Sequence, residues 1–421
     1  MTARLTQLSN RSQRWALLAL AGTIVGASPV AAADLGGNCC ADLEERIAEL
    51  EATTARKGNR KVSLTISGWV NEAVFAWDDG VENNVYVGTN ALEQSRFKFA
   101  GDAKINGDWS AGYTIEIGIL GADSKSFAQD NTGSKNTLST RKASWFLKSK
   151  TFGKLTVGQD GTATYHLLDD ADGVNTRNYS DAEAAAVALG AFRTRSGGVL
   201  GAKWTDFMGG FNNATEGQSG RRNIVRYDSP TFAGFTATAA WGEDDMWDTA
   251  LTYKGDVGDF ALVGKIGYGE SSDPAANGGQ CAVGTGDCQW WGAAGTIMHT
   301  PTGLYVYAGY GATQIDLKAA QAGQDDEANT WFVQGGIEKK FIPLGKTTVF
   351  GEFRRDDVGL SKAAQGSELD FWAAGIVQNI DAAAMDLYLI YRNASGDATV
   401  GGVKTNLDDL DMVIAGARIQ F

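Results

Sequence analysis

Residues 109–119, WSAGYTIEIGI, alternate along their whole length. Trp109, Ala111, Tyr113, Ile115, Ile117 and Ile119 form one set; Ser110, Gly112, Thr114, Glu116 and Gly118 form the other. A period of two sends successive side chains to opposite faces of a β-strand. One face is apolar and the other small or polar, so the strand separates two environments. Either its apolar face meets a second protein layer, or it meets lipid while the polar face meets water.

The connections decide between these. From Lys61 onward about sixteen strand-like segments follow one another, from 62–77 to 408–421. Every second connection is short: 106–108, 150–152, 229–233, 255–258, 300–302, 341–345 and 381–383. The intervening ones are mostly long and polar (121–138, 270–289, 312–328 and 394–407), with a short exception near 243–246. Tight turns at one end and long loops at the other describe a transmembrane antiparallel β-barrel, with the turns on the periplasmic side. A soluble sandwich does not sort its loops this way. The last segment agrees: Val413, Ala415, Ala417, Ile419 and Phe421 share one face, Arg418 and Gln420 the other. Tryptophans near strand ends (Trp69, Trp77, Trp109, Trp241, Trp247, Trp290, Trp291, Trp331 and Trp372) suit interfacial girdles, with an aromatic track for sugars as the other use. Past the N-terminus no apolar window is long enough for a membrane helix.

Residues 1–33 read as a signal peptide: Arg4, Arg11 and Arg14 precede an apolar run from Trp15 to about Val25, and Ala31-Ala32-Ala33 offers a cleavage site. Removing those three arginines from 37 basic side chains leaves 34 against 50 acidic ones, a net charge of -16. Such acidity argues against nucleic acid as a partner and hints at cation preference, although the charges nearest a narrowing would decide selectivity. Residues 34–60 form a separate N-terminal segment. Within it Leu43, Ile47 and Leu50 make a helical stripe too short to be stable alone, so a coiled coil between protomers and a helix docked on its own barrel stay open. Cys281 and Cys288 bracket CAVGTGDC, which could close as a disulfide loop; Cys39 and Cys40 are open between cross-links and free thiols. No cysteine or histidine spacing supports a metal site, and no motif calls for a cofactor.

Four stretches resemble the porin family of the alphaproteobacterial outer membrane, related to general trimeric porins. They are GGNCCADLEERIAELEATTARKGNRKVSLTISGWVNEA (36–73), SRFKFAGDAKI (95–105), FGKLTVGQD (152–160) and RYDSPTFAGF (226–235). The terminal Phe421 matches the aromatic that the barrel-insertion machinery reads in outer-membrane barrels. The resemblance implies a sixteen-strand barrel over 61–421, a homotrimer in contact with lipid and lipopolysaccharide, and passive diffusion of small hydrophilic solutes and ions. It further implies that the connection after the fifth strand, 161–220, folds inward and narrows the pore. The Pro-Glu-Phe loop tip of enterobacterial porins is missing here.

A diffusion pore needs a field across its narrowest part rather than a nucleophile. Arg96 and Lys98 alternate with Phe97 and Phe99 and therefore face water. Arg141 and Arg222 fall where related porins carry wall arginines, and Arg354 and Arg392 lie on the polar side of their strands. Asp169, Asp170, Asp172, Asp181 and Glu183 would supply the acidic side from the long connection, with Arg193 and Arg195 mixed among them. An enzyme is not expected, because His166 and His299 lie in no Ser-His-acid pattern. A solute-specific sugar or anion channel and an envelope-tethering barrel are the remaining alternatives.

Overall fold

The structure, a computed structural model, describes residues 61–177, 179, 188–208, 215–243, 245–272, 287–316, 326–358, 366–400 and 403–421. The expected signal peptide (1–33), the 34–60 segment, Cys39 and Cys40 lie outside the described residues.

Among the described residues nineteen strands form. They are β1 (Thr65–Asp78), β2 (Asn83–Thr89), β3 (Arg96–Lys104), β4 (Trp109–Ala128), β5 (Asn131–Ser149), β6 (Gly153–Gly161), β7 (Arg193–Ser196), β8 (Val199–Lys203), β9 (Arg221–Asp228) and β10 (Phe235–Gly242). There follow β11 (Met246–Val257), β12 (Phe260–Ser271), β13 (Cys288–His299), β14 (Leu304–Ile315), β15 (Glu327–Ile342), β16 (Gly345–Val358), β17 (Ser367–Ile380), β18 (Met385–Val400) and β19 (Val403–Gln420). Sixteen of them make an antiparallel wall: β1, β3 to β6, and β9 to β19. The ring closes where β1 pairs β19 from Trp69↔Gln420 to Asp78↔Asp411. Gly68 and Phe421 then exchange amide-to-carbonyl hydrogen bonds of 2.9 and 3.0 Å. Closure leaves no edge of unpaired amides facing hydrocarbon.

Side chains sort as the alternation requires. On β4, Ile115 and Ile119 are exposed on the outside while Glu116 is buried inside. On β15, Trp331 and Phe341 bound the outward apolar residues Val333 and Ile337. Ten residues at ~3.3 Å, tilted by about 40°, span roughly 25 Å, the height of an outer-membrane apolar belt. Trp241, Trp247, Trp291, Trp331 and Trp372 point outward, several of them packed on a cross-strand aromatic such as Phe353 or Tyr391. Trp69, Trp77 and Trp290 do not join the girdle. Trp290 is the neighbour of Trp291 and must face the other way, where its indole N–H donates to Thr164 Oγ1 at 2.9 Å.

Seven short turns stand at the expected points of the chain, two of them shorter than expected because β11 runs on to Val257 and β15 to Ile342. The first is closed by Asn106, whose side chain accepts from the amides of Asp108 and Trp109, both at 2.9 Å. Two connections read as polar loops are not loops: β4 and β5 continue through 121–138, and β18 and β19 through most of 394–407. Hydrophobic alternation marks only the part of a hairpin that meets lipid. The ladder continues into water without it.

The described residues of the 161–220 connection pack against the inner side of the ring. A buried apolar cluster joins Leu168, Tyr179, Leu189, Phe192, Trp204 and Phe207 to inward side chains of β1, β4 and β13 to β19, including Phe75, Phe127, Tyr307, Phe332, Phe371 and Leu410. The small hairpin of β7 and β8 sits in this stretch, bridged to β19 at Arg195↔Asp408.

Candidate functional site

The strand register builds a charged row on the inner wall. Lys98 of β3 stands opposite Glu116 of β4, Glu116 opposite Lys142 of β5, and Asp160 of β6 opposite Arg222 of β9. Lys142 Nζ meets Asp160 Oδ1 at 2.8 Å, which joins the two halves. Positive and negative thus alternate from strand to strand, as favours directly opposed residues. The wall carries acids of its own; Glu116 was visible on the polar face of the opening stretch, but alternation shows a residue's face and not its neighbour. A bulge between Glu116 and Ile117 leaves Arg141 as the extra residue of β5. Bulges re-aim side chains, so Arg141 and Lys142, adjacent in sequence, both reach inward acids.

From this row a chain of ion pairs crosses the interior. Glu116 Oε1 accepts from Arg141 Nε at 2.8 Å and from Arg96 at 3.1 Å. Arg96 also meets Glu93 at 2.9 Å, and Glu93 meets Arg177 of the long connection at 3.3 Å. Arg177 holds Asp170 at 2.9 Å and Asp169 at 3.4 Å, and Asp170 ends on Lys265 of β12 at 3.1 Å. The Arg96 guanidinium lies 4.5 Å over the Trp69 ring. Arg177, Glu93 and Lys265 were not singled out from the sequence, because separations of about ninety residues leave no local signal.

The rest of the connection is held largely by hydrogen bonds with wall side chains. The Thr164 amide and hydroxyl donate to Asp248 of β11 at 2.8 and 2.6 Å. Gly173 N donates to Thr296 of β13 at 3.0 Å, and Tyr307 of β14 donates to the Leu168 carbonyl at 2.8 Å. Asn175 N reaches Glu338 and Thr176 reaches Gln334, both on β15 and both at 2.8 Å. Tyr179 donates to Asp386 of β18 at 2.7 Å and stacks on Tyr388 at 4.4 Å. Arg354 of β16, 1% exposed, binds Glu216 of the returning leg at 3.1 Å and Asp356 of its own strand at 2.6 Å. Gly311 makes the leg's close approach possible, since a Cβ there would lie 2.0 Å from the Glu216 carbonyl.

Two neighbouring acids of the connection differ in character. Burial raises the Asp169 carboxyl, but His166 and Arg177 outweigh burial and hold it below the usual carboxylate range. Asp172 is pushed up to about 7 by burial, which Thr176 and the Val174 amide only partly offset.

The expected residues therefore lie as follows. Arg96, Lys98, Arg141, Asp169 and Asp170 are brought together in the row and the chain. Arg222 belongs to the same row but ends on Glu243 at 3.0 Å. Its neighbour Arg221 donates to the Tyr165 hydroxyl at 2.6 Å and feels the charges of Arg141 and Glu116. Asp172 is turned into the connection itself. Asp181 and Glu183 lie outside the described residues. Arg354 and Arg392 hold the connection, Arg392 by donating to the Ala188 carbonyl at 2.9 Å. Arg193 and Arg195 are bound beyond the row, Arg195 to Asp79 at 2.6 Å and Glu82 at 2.9 Å. Cys288 is disulfide-bonded; Cys281 lies outside the described residues. Phe421 is 63% exposed on the outer face.

Solved structures share this architecture. The chain is similar to the anion-selective porin from Comamonas acidovorans, with a TM-score of 0.57 and 16% identity over 86% of this chain and 100% of that one. It is similar to the outer membrane channel DcaP of Acinetobacter baumannii (0.54, 12%, 87% and 99%) and to Salmonella typhi OmpF in its complex with daunomycin (0.53, 12%, 86% and 99%). At these identities the likeness is one of fold. No curated protein matches it in sequence. The model of the Gram-negative porin family matches residues 16–401. The closed ring, the inner charges and that match agree: the chain belongs to the Gram-negative porin family and forms a channel in the outer membrane.

Proposed function

We propose that the channel passes small hydrophilic solutes and ions by passive diffusion, without catalysis, as a homotrimer, and that its narrowest part lies at the ion-pair chain. The observation that carries this is the run of contacts from Arg141 to Lys265 through Arg177, which ties the crossing segment to β3 on one side and β12 on the other. Charges fixed on both flanks of a wet bore orient dipolar solutes and disfavour apolar ones. Trimeric assembly follows the family resemblance and the trimer form of the similar OmpT of Vibrio cholerae. The four matching stretches favour the alphaproteobacterial branch. The bonded Cys288 suits pairing with Cys281, and the exposed ring of Phe421 suits recognition by the insertion machinery.

Planar-bilayer recording of the purified protein tests this. Expected are steps whose conductance rises in proportion to salt and closes in thirds. Arg177→Ala is expected to enlarge the step. Saturable block by one solute would assign a solute-specific channel instead, and an unchanged step in the variant would move the narrowing elsewhere.

A further inference from the structure

We infer that the pore prefers small anions and that Lys98 and Arg221 set this preference. The inference rests on the diffusion-pore reading and adds the class of solute to it.

The acids in the row and the chain are all matched. Glu116 holds Arg96 and Arg141, Asp160 holds Lys142, and Glu243 holds Arg222. Glu93, Asp169 and Asp170 share Arg177, and Lys265 completes that group. Among the described residues six carboxylates thus face six cations. Lys98 and Arg221 are left over. Among the described residues Lys98 has no ion-pair partner, although it stands on the inward face opposite Glu116. Arg221 has, among the described residues, only the neutral phenol of Tyr165, by a hydrogen bond and with the guanidinium 5.5 Å over the ring. Asp172 makes no ion pair among the described residues, and with its carboxyl raised by burial it offsets at most one of these two charges.

Distance decides which charges a passing ion senses. Coulomb energy falls with separation, and at about 0.1 M salt the field is screened beyond about 10 Å. The chain's formal charge of -13 is spread over its whole length, much of it farther than this from the row. The two surplus cations lie within it. The local field is therefore positive in an acidic protein, which reverses the hint from composition.

The test is the reversal potential of single channels in a KCl gradient centred near 0.1 M. The native channel is expected to favour chloride over potassium, and the preference should shrink near 1 M, where the screening length is about 3 Å. Lys98→Gln, at a half-exposed unpaired position, should weaken the preference while leaving insertion intact; Lys98→Glu combined with Arg221→Gln should turn it toward potassium. A native channel that favours potassium at low salt overturns the inference, as does an unchanged reversal potential in both variants, and either result leaves the diffusion pore standing. Failure to form channels at all would count against the pore itself.

Discussion

The arc of wall from β3 to β9 and the arc from β11 to β18 obey the same alternation, apolar outward and polar inward. On the first arc most inward charges pair with one another: Lys142 with Asp160, Arg96 and Arg141 with Glu116. On the second they pair with the crossing segment. Thr296, Tyr307, Gln334, Arg354 and Asp386 are all buried against it. A polar inner face therefore does not by itself mark a solute path. Where the protein supplies its own hydrogen-bonding partner the face becomes core, and where water remains the face is left for transport. Loss of a partner should accordingly cost stability on the second arc and change transport on the first.

The largest difference is expected between Arg354→Leu and Lys142→Gln. Arg354→Leu leaves Glu216 and Asp356 buried without their cation, which costs about 3–5 kcal/mol. Lys142→Gln removes a partly hydrated pair, and Asp160 keeps Ser144 at 2.7 Å; the cost is at most about 1 kcal/mol. Urea unfolding in lipid, followed by tryptophan fluorescence, measures both. Equal losses would remove the distinction between the arcs.

A smaller effect is expected from Gly311→Ala. Its methyl group would press on the Glu216 carbonyl from 2.0 Å, and this overpacking costs about 1–3 kcal/mol. Gly264→Ala, on the outward side of β12 with nothing within 4 Å, is expected to be neutral. Should the two variants unfold alike, the returning leg is not seated on β14.

These features were unequally legible in the sequence. Period-two alternation and the spacing of turns gave the ring and its seven short turns, because lipid and water impose them residue by residue. The bulge that turns both Arg141 and Lys142 inward breaks the alternation and could not be read from it. Trp290 and Trp291 could have been separated, since adjacent strand residues cannot share a girdle. The choice between Arg221 and Arg222 turns on where Glu243 and Tyr165 lie, and Arg177 gains its role only once Glu93 and Lys265 are brought to it. Pairing across the ring is a property of closure, and no local pattern encodes it.

The finest contrast lies within the crossing segment, between Asp169 and Asp172. Unfolded, both carboxyls titrate near 3.9. Asp169 is held lower in the folded protein despite its burial, by His166 and Arg177. Its contribution is thus complete above about pH 4 and lost as pH falls further. Asp172 has the opposite sign. Burial raises it to about 7, so the folded state favours the protonated form; that stabilisation is complete below about pH 4 and is lost as pH rises through 7. Between these limits Asp172 alone of the two should tilt stability, making the native protein melt lower at pH 8 than at pH 4.5. Asp172→Asn keeps an acceptor for the Val174 amide and cannot ionise, so the difference between the two pH values should shrink, whereas Asp169→Asn should lower the melting temperature at both. If Asp172→Asn left the difference untouched, water would have to reach that carboxyl, and the boundary between core and solute path would run on the other side of the segment.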